Sequence, residues 1–214
     1  MHKLARYSKI YEDIQLVIVD KIAGQLTVPA SEKDEISLLD LLNSEYLGKG
    51  IKILPCHRLD KETSGLVIFA KDEKTQEEIA GLFRKRKILK TYIAIVHGWI
   101  KKDSGELRSY LRDKAIHNTK GKLAISKFKV LKKNAEYSLL EVSPLTGRKN
   151  QIRIQFKEIG HPIVGERKFV FARDFDLKSG RLCLHAWKLS FFHPETGQHL
   201  NLESLIPEPI KKFF

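Results

Sequence analysis

The chain has 214 residues, 42% of them hydrophobic and 30% charged, which is ordinary for a globular protein with a substantial core. Its 39 lysines and arginines outnumber its 26 acidic residues, and the formal net charge of +13 favours a polyanionic partner such as nucleic acid. The longest apolar runs are too short to span a bilayer, no secretory signal opens the chain, and two cysteines do not make a disulfide framework. These features exclude a membrane-spanning helix and predict a cytoplasmic protein.

The first third of the chain is predicted to contain a strand, a turn and a helix. Residues 16–19 are an apolar run typical of a short strand. Residues 24–29, bounded by glycine and proline, predict a turn that returns the chain to the sheet. Residues 37–47 have leucines at helical spacing and predict an amphipathic helix.

A second helix is predicted to begin after Asp72. Aspartate is a preferred N-cap residue, acidic residues follow it, and basic residues occupy 84–87. That order complements the helix dipole, which is positive at its N-terminus and negative at its C-terminus. Ile79, Leu82 and Phe83 form the predicted buried face.

Strands are predicted again in the rest of the chain. Alternating or continuous apolar residues indicate strands at 90–100 and 182–192. Residues 125–131 and 137–142 indicate the two arms of a hairpin. Residues 150–159 fit both a strand and a helical face, and the following glycine and proline favour the helix.

Strands predominate without a regular alternation of strand and helix. This pattern predicts an α+β fold with a mixed, largely antiparallel central sheet and flanking helices. No repeat, low-complexity stretch or flexible linker divides the sequence. Residues 1–214 are therefore predicted to be a single domain, with residues 1–15 as an N-terminal extension.

The segment 56–65 carries the most chemistry. It places Asp60 beside Arg58 and then turns through a Thr-Ser-Gly sequence into the apolar run 66–70, which predicts a buried strand. A carboxylate on a tight loop that enters a central strand is held as rigidly as a reactive group needs to be. From turn chemistry alone, the favoured interpretation of Asp60 is the cap of a turn, solvated by Arg58.

Positive charge is concentrated between residues 101 and 133. This segment has eleven basic residues against three acidic ones, a surplus of 11 − 3 = +8. The segment contains glycine and asparagine and is predicted to form loop and hairpin. It is either a contact surface for RNA phosphates or a solvated charged face, and the composition does not decide between them.

Several segments resemble, in the same order, the motifs of the RluA-type pseudouridine synthases, which convert uridine in RNA to its C-glycoside isomer. His57-Arg58-Leu59-Asp60 with Thr63-Ser64-Gly65 is similar to the family signature. The strand 90–98 is similar to the family's Lys-x-Tyr-x-Ala-x-Val motif, and 145–153 to its Thr-Gly-Arg-x-His-Gln-Ile-Arg motif. Two further segments, 160–165 and 184–191, also match and are assigned to the scaffold, so the resemblance runs from about Leu16 to Pro207.

The resemblance implies the pseudouridine synthase fold with a central active-site cleft, and it assigns roles to individual residues. Asp60 is the implied catalytic carboxylate, Tyr92 packs on the target base, and Arg153 pairs with Asp60. Arg58 is expected to fill the gap that the flipped base leaves. The other implied or predicted substrate contacts are the motif residues Thr63 and Arg148 and the basic-segment residues Lys120, Lys122, Lys127 and Lys129.

The implied reaction is isomerisation of specific uridines in structured rRNA or tRNA, without metal or cofactor. Four possible zinc ligands at Cys56, His57, Cys183 and His185 lack finger-type spacing, and there is no nucleotide-binding glycine motif. We expect a monomer with no membrane or protein partner and with no separate N-terminal RNA-binding domain, so that the catalytic domain supplies the RNA contacts.

The chain departs from the family pattern at a few positions. Asn150 and Gln155 stand where histidines are frequent, Glu166 and Phe169 replace a common aspartate and tyrosine, and Ile22 replaces a proline. The three reactive positions, Asp60, Tyr92 and Arg153, are retained. The departures are therefore expected to affect which RNA is bound and not which reaction occurs. The alternative hypothesis is a catalytically silent RNA-binding or ribosome-assembly protein on the same fold.

Overall fold

The computed structural model describes residues 7–30, 35–112, 121–170 and 179–213. The chain divides into two compact units. The first comprises Met1–Leu89 and Ala186–Leu205, and the second comprises Lys90–His185 and Ile206–Phe214. No helix in the described ranges is long and apolar enough to cross a membrane.

The described residues form ten strands and four α-helices. The strands are β1 (Tyr7–Glu12), β2 (Leu16–Lys21), β3 (Leu54–Pro55), β4 (Ser64–Ala70), β5 (Leu89–His97), β6 (Ser104–Leu111), β7 (Lys122–Lys133), β8 (Tyr137–Pro144), β9 (Leu184–Phe192) and β10 (His199–Glu203). The helices are α1 (Leu38–Tyr46), α2 (Glu73–Arg84), α3 (Gln151–Glu158) and α4 (Glu208–Lys211), and a 3-10 turn, Leu47–Lys49, follows α1.

In the first unit, β2 and β4 are the central strands. β2 pairs antiparallel with β1 on one side and β4 on the other, the short β3 pairs antiparallel with the end of β4, and β10 pairs antiparallel with β9. All seven residues of β4 are buried, as expected of a strand covered on both faces. Apolar side chains from β2, β4, α2, β9 and β10 form one core cluster, which includes Leu16, Ile68, Ile79, Phe191 and Leu200.

The second unit is built on the antiparallel strands β5, β8, β7 and β6, in that order. Helix α3 covers one face of these strands. The Gln155 side-chain amide donates to the carbonyl oxygens of Leu107 in β6 and Ala124 in β7, at 3.2 and 3.1 Å. The Phe156 ring meets the Phe128 ring edge-on, with 5.8 Å between centroids.

The predicted helices are confirmed, and the predicted N-cap at Asp72 with them. The Ser37 hydroxyl accepts from the Asp40 N–H, and the Asp40 carboxylate accepts from the Ser37 N–H, which is a capping box at the start of α1. Asp72 accepts from the Thr75 N–H at 2.8 Å and caps α2. The segment 150–159 contains helix α3, as the glycine that follows the segment indicated.

The strands are confirmed at 16–19, 90–97, 125–131, 137–142 and 184–192, and the α+β class with them. The turn predicted at 24–29 is present, but the prediction that it leads the chain back into the sheet is wrong. Its carbonyl groups accept from the first residues of α1 instead, Leu26 from the Leu38 N–H at 2.8 Å and Thr27 from the Leu39 N–H at 3.1 Å. Strands β1, β3, β6 and β10 were not predicted.

Gly65, at the second position of β4, is required by both its backbone angle and its surroundings. Its φ is +113°, and a β-carbon there would lie 2.2 Å from the Ala186 carbonyl oxygen. Because the obstacle is backbone, Gly65→Ala is expected to lower the free energy of unfolding by about 4 kcal/mol or more. Gly197, with φ +67° and nothing near its missing β-carbon, is the matched control. Gly197→Ala should lower the free energy of unfolding, measured by chemical denaturation, by only ~1–2 kcal/mol. Equal decreases in the two variants would show that the Ala186 backbone is not what excludes a β-carbon at Gly65.

His185 gives the stability a defined pH dependence. Burial, followed by the charge of Arg181, lowers the pKa of His185 to about 3. The unfolded chain therefore takes up a proton near the ordinary histidine pKa that the folded protein does not. Folding stability is full above pH ~6.5 and falls as the pH drops toward 3, by at most about 1.4 kcal/mol per pH unit.

This dependence can be measured by chemical denaturation at pH 7.0 and 5.0. His185→Gln should lose less stability than the wild type over that interval. The hydrogen bonds from Lys71, Tyr46 and Lys9 outweigh the burial of Glu12 and hold its pKa at about 2. The stability that Glu12 contributes is therefore lost only below pH ~4.5, outside the interval of the measurement. Identical losses in the two proteins would show that His185 does not carry the effect.

Candidate active site

Asp60 lies in the first unit, at the beginning of the tight turn that leads into β4. The Thr63 N–H donates to the Asp60 carbonyl oxygen at 3.0 Å and closes the turn. Strand β4 begins at Ser64, directly after Thr63. The Asp60 side chain is half-buried. The predicted placement of a carboxylate on a loop that enters a buried strand is therefore confirmed.

The residues on both sides of Asp60 are held by side-chain and backbone bonds from the segment 21–27. The Thr27 hydroxyl donates to the Leu59 carbonyl oxygen at 2.9 Å and accepts from the Leu59 N–H at 3.2 Å. On the other side, the Lys61 carbonyl oxygen accepts from the Gly24 N–H at 2.9 Å and from the Lys21 ammonium at 3.1 Å.

Lys21 is a fully buried lysine. Besides Lys61, its ammonium donates to the carbonyl oxygens of Ile22 at 2.9 Å and Gln25 at 2.7 Å. A buried cation is costly unless its donors are satisfied, and the three carbonyl groups meet that need. The ammonium thereby ties the 21–25 turn to the residue that follows Asp60.

The beginning of the same motif is fixed to β4. The Cys56 N–H donates to the Ile68 carbonyl oxygen at 3.2 Å, and His57 Nε2 accepts from the Ile68 N–H at 3.0 Å. The acceptor role at Nε2 requires a neutral imidazole with its proton on Nδ1. The His57 ring also packs on Phe83 of α2, with 4.9 Å between centroids. Burial raises the pKa of the Cys56 thiol to about 12.

Tyr92 lies in the second unit, on the face of the sheet that α3 covers. It stands opposite Val142 of β8, and Val142 stands opposite Phe128 of β7, so the three side chains share one face. Phe128 contacts Phe156 of α3 on that face. Tyr92 is largely buried, with 8% of its surface exposed.

Arg153 projects from α3 into a buried ion pair. Its Nε and Nη2 lie 2.6 and 2.7 Å from the two carboxylate oxygens of Glu166, a bidentate arrangement, and its Nη1 donates to the Asn150 side-chain oxygen at 3.1 Å. Arg153 is 5% exposed and Glu166 1%. An arginine held in this way is not a surface charge.

The pair sets the ionisation of Glu166, and with Asn150 it engages three N–H bonds of Arg153. Burial raises the pKa of Glu166, but the hydrogen bonds and charge of Arg153 outweigh burial and bring that pKa below its usual value. A guanidinium has five N–H bonds, and the three contacts above use three of them. One N–H on Nη1 and one on Nη2 remain after these contacts. The pairing of Arg153 with Asp60 stays a prediction.

The predicted substrate contacts differ in exposure. Arg58 and Arg148 are exposed, and Arg148 Nε donates to the Leu123 carbonyl oxygen at 3.3 Å. Thr63 is buried, and its hydroxyl has no hydrogen-bond partner among the residues that the structure describes. A buried unpaired hydroxyl costs about 1–3 kcal/mol, so a bound group that completed its hydrogen bond would be favoured.

The predicted lysine contacts lie along β7. Lys122, Lys127 and Lys129 are exposed, and Lys120 lies outside the described residues. Lys127 stands opposite Glu106 of β6, and Lys129 stands opposite Glu141 of β8. The positive charge of this strand is therefore interspersed with acids from its neighbours, which the composition of the segment 101–133 did not reveal.

Three residues that shape these surroundings were not predicted from the sequence. Glu166 was noted only as a departure from the family pattern, with no sign that it would bind Arg153. Thr27 and Lys21 reach the Asp60 segment from 32 and 40 positions away, and no local pattern announces such contacts. Their only signal is a polar side chain just after a predicted apolar strand, at Lys21, and one within a predicted turn, at Thr27.

Comparison with known proteins assigns the chain to a family. Residues 15–158 match the model of the family described as RNA pseudouridylate synthase. The dual-specificity RNA pseudouridine synthase RluA of Haemophilus influenzae is 34% identical over 203 residues, which cover 91% of each chain. The tRNA pseudouridine synthase C of Vibrio parahaemolyticus is 31% identical and covers 96% of this chain and 92% of its own. The ribosomal large subunit pseudouridine synthase D of Nitrosomonas europaea is 34% identical over 93% of this chain, which spans 62% of that relative.

Solved structures agree on the fold. Human RNA pseudouridylate synthase domain containing 4 superimposes with a TM-score of 0.77 at 23% identity, over 95% of this chain and 90% of that chain. Human RNA pseudouridylate synthase domain containing 1 gives a TM-score of 0.76 at 22% identity, over 98% of this chain and 86% of that one. The family model, the curated relatives and the fold agree with the motifs around Asp60, and the chain belongs to the RNA pseudouridylate synthase family of isomerases.

Proposed function

We propose that this protein converts specific uridines of structured RNA to pseudouridine, with Asp60 as the reactive carboxylate. The observation that carries the proposal is the placement of Asp60. It stands in the motif shared with the family, on a turn whose neighbouring residues, Leu59 and Lys61, are held by Thr27, Gly24 and Lys21. Such immobilisation suits a group that must meet one atom of its substrate.

The reaction is an isomerisation that balances within the nucleotide. The bond between N1 of uracil and C1′ of ribose breaks, the uracil turns, and a bond forms between C5 and C1′. C5 loses its proton, and N1, which carries no proton in uridine, gains one. Asp60 acts either as nucleophile at C1′ or as base at C2′.

Other residues of the motifs are proposed to bind the target nucleotide. The base must leave its stack to react, and a buried aromatic ring such as Tyr92 suits a platform for a flipped base. The two N–H bonds of Arg153 not used by Glu166 and Asn150 suit a second anionic ligand, for which we propose Asp60. Arg58, exposed on the same motif, is proposed to occupy the space that the base vacates. The Thr63 hydroxyl and Arg148 are proposed as further contacts.

The proposed substrate class is rRNA or tRNA. The names of the relatives include ribosomal large subunit and tRNA synthases, and the net charge of +13 suits either polyanion. The family model runs across both compact units, which supports one catalytic domain rather than two independent ones. We propose that the protein acts as a monomer in the cytoplasm.

The decisive experiment is a carbodiimide and primer-extension map of cellular RNA from cells with and without the protein. Pseudouridines present only with the protein identify its substrate. The purified protein should then form the same modification on a transcript of that RNA. Unchanged maps together with no modification of total RNA by the purified protein would favour a catalytically silent RNA-binding or assembly protein.

The lysines of β7 give a separate prediction about RNA binding. Replacing Lys122, Lys127 and Lys129 with glutamine should weaken RNA binding. The slope of log K against log salt concentration should become less steep by up to about 0.7–0.9 for each RNA phosphate that is no longer neutralised. Lys74, Lys188 and Lys211, each paired with a glutamate, provide a control with the same decrease in positive charge. An equal change of slope in both triple variants, or no change in the β7 variant, would place the RNA elsewhere.

A further inference from the structure

We propose that Thr27 is a positioning residue for Asp60, and that it acts by binding both backbone groups of Leu59. This inference rests on the proposed function and adds to it a residue outside the family motifs described above. Thr27 lies in the segment that follows β2, 33 positions before Asp60 (60 − 27 = 33).

A single hydroxyl makes both hydrogen bonds of this contact. Thr27 Oγ1 donates to the Leu59 carbonyl oxygen at 2.9 Å and accepts from the Leu59 N–H at 3.2 Å. Two residues of an antiparallel ladder exchange hydrogen bonds in the same manner. The side chain of Thr27 thus takes the place of a neighbouring strand at the residue that directly precedes the carboxylate.

Both sides of this contact are shielded and anchored. Thr27 is 2% exposed and Leu59 5%, so water does not compete for the bonds. The Thr27 carbonyl oxygen accepts from the Leu39 N–H in the first turn of α1, at 3.1 Å. α1 is itself fixed by its Ser37 capping box. A continuous series of bonds therefore connects helix α1, Thr27 and Leu59 to Asp60.

Removal of the Thr27 bonds should act on the reaction rather than on RNA affinity. Leu59 would keep its buried side chain, but its peptide groups could rotate and displace the carboxylate. A displacement of about 1 Å at a reactive group reduces rates by about 10²-fold. RNA contacts made elsewhere would be unaffected, so the effect should appear in kcat and not in KM.

The test compares Thr27→Val, which keeps the shape and removes the hydroxyl, with Thr27→Ser, which keeps the hydroxyl. In single-turnover reactions at saturating RNA, Thr27→Val should be slower by about 10- to 100-fold. Its RNA Kd and KM should stay within about twofold of the wild-type values. Thr27→Ser should stay within about threefold of the wild-type rate, because the serine hydroxyl can make both hydrogen bonds. Amide hydrogen exchange at Leu59 should accelerate in Thr27→Val alone.

Thr75→Val is the matched control. Thr75 is a buried threonine in the same unit whose hydroxyl donates to the Asp72 carboxylate at 2.7 Å, at the cap of α2. This substitution should lower the melting temperature and leave the rate unchanged. An equal fall in rate in Thr75→Val would reduce the effect of Thr27 to general stability and overturn the inference.

The inference and the proposed function can fail separately. A wild-type protein that forms no pseudouridine would refute the proposed function, while Leu59 exchange would still test the Thr27 contact. Unchanged Leu59 exchange in Thr27→Val would overturn the contact. Faster amide exchange at Leu59 together with a wild-type rate of pseudouridine formation in Thr27→Val would overturn the positioning role of Thr27.

Discussion

Replacing Asp60 with asparagine is expected to abolish pseudouridine formation while RNA binding survives. The amide is nearly isosteric with the carboxylate, but it can act neither as a nucleophile at C1′ nor as a base at C2′. Removal of an essential catalytic group corresponds to several kcal/mol of transition-state stabilisation, so the rate should fall by at least about 10³-fold. Single-turnover assays and filter binding on the mapped RNA measure the two effects separately.

Asp72→Asn is a suitable control for this substitution. Asp72 lies in the same unit and caps α2, and asparagine is an equally good N-cap residue. The control should keep wild-type activity and nearly wild-type stability. Residual activity of Asp60→Asn within about tenfold of the wild type would make Asp60 a structural residue of its turn.

Arg153→Lys is expected to reduce turnover strongly with little change in RNA affinity, and Arg153→Ala is expected to reduce it further. Lysine keeps the charge but lacks the planar fork that can bind two ligands at fixed angles. In the structure this fork is already bidentate to Glu166. Arg153→Ala would leave a buried carboxylate without its partner, which costs about 3–5 kcal/mol of stability. Turnover must therefore be compared at temperatures where denaturation curves show every variant folded.

Glu166→Gln separates the structural from the catalytic contribution of Arg153. The amide keeps the shape of Glu166 and removes its charge, and because its nitrogen cannot accept a hydrogen bond, Arg153 keeps one of its two bonds to this side chain. If Arg153 binds the reactive carboxylate, this variant should retain far more turnover than Arg153→Lys. Equal decreases in the two variants would mean that Arg153 serves only its pair with Glu166. Wild-type turnover in a folded Arg153→Ala protein would contradict any role in the reaction.

The elements that the sequence predicted well are those specified by neighbouring residues. Helix α2 combines an N-cap at Asp72, a charge order that suits its dipole and an apolar face, all within thirteen residues. The elements that were missed lack such local signals. Strand β1 has no fully buried residue, and β6 alternates between exposed and half-buried positions over most of its length. Both are strands because of the partners they pair with, β2 and β7, rather than because of their own composition.

The same distinction applies to the candidate site. The motif that contains Asp60 and the strand that follows it are contiguous in sequence, so their arrangement could be predicted. The residues that hold Asp60 and Arg153 come from distant segments, such as Thr27 and Glu166. Nothing in the spacing of a threonine or a glutamate reveals which backbone group or guanidinium it will meet. Those contacts exist only once the strands have paired and the helices have packed.

Cys56 gives the Asp60 segment a natural chemical reporter. Its thiol stands four residues before Asp60, and burial raises its pKa to about 12, so almost none of it is thiolate at neutral pH. When the segment detaches from β4, the half-buried thiol becomes fully exposed and regains an ordinary pKa, so its alkylation accelerates. The rate of iodoacetamide modification at Cys56, followed by mass spectrometry, would therefore report on the opening of the segment 56–65. Bound RNA that stabilises the closed segment would slow that modification without any label having been introduced into the protein.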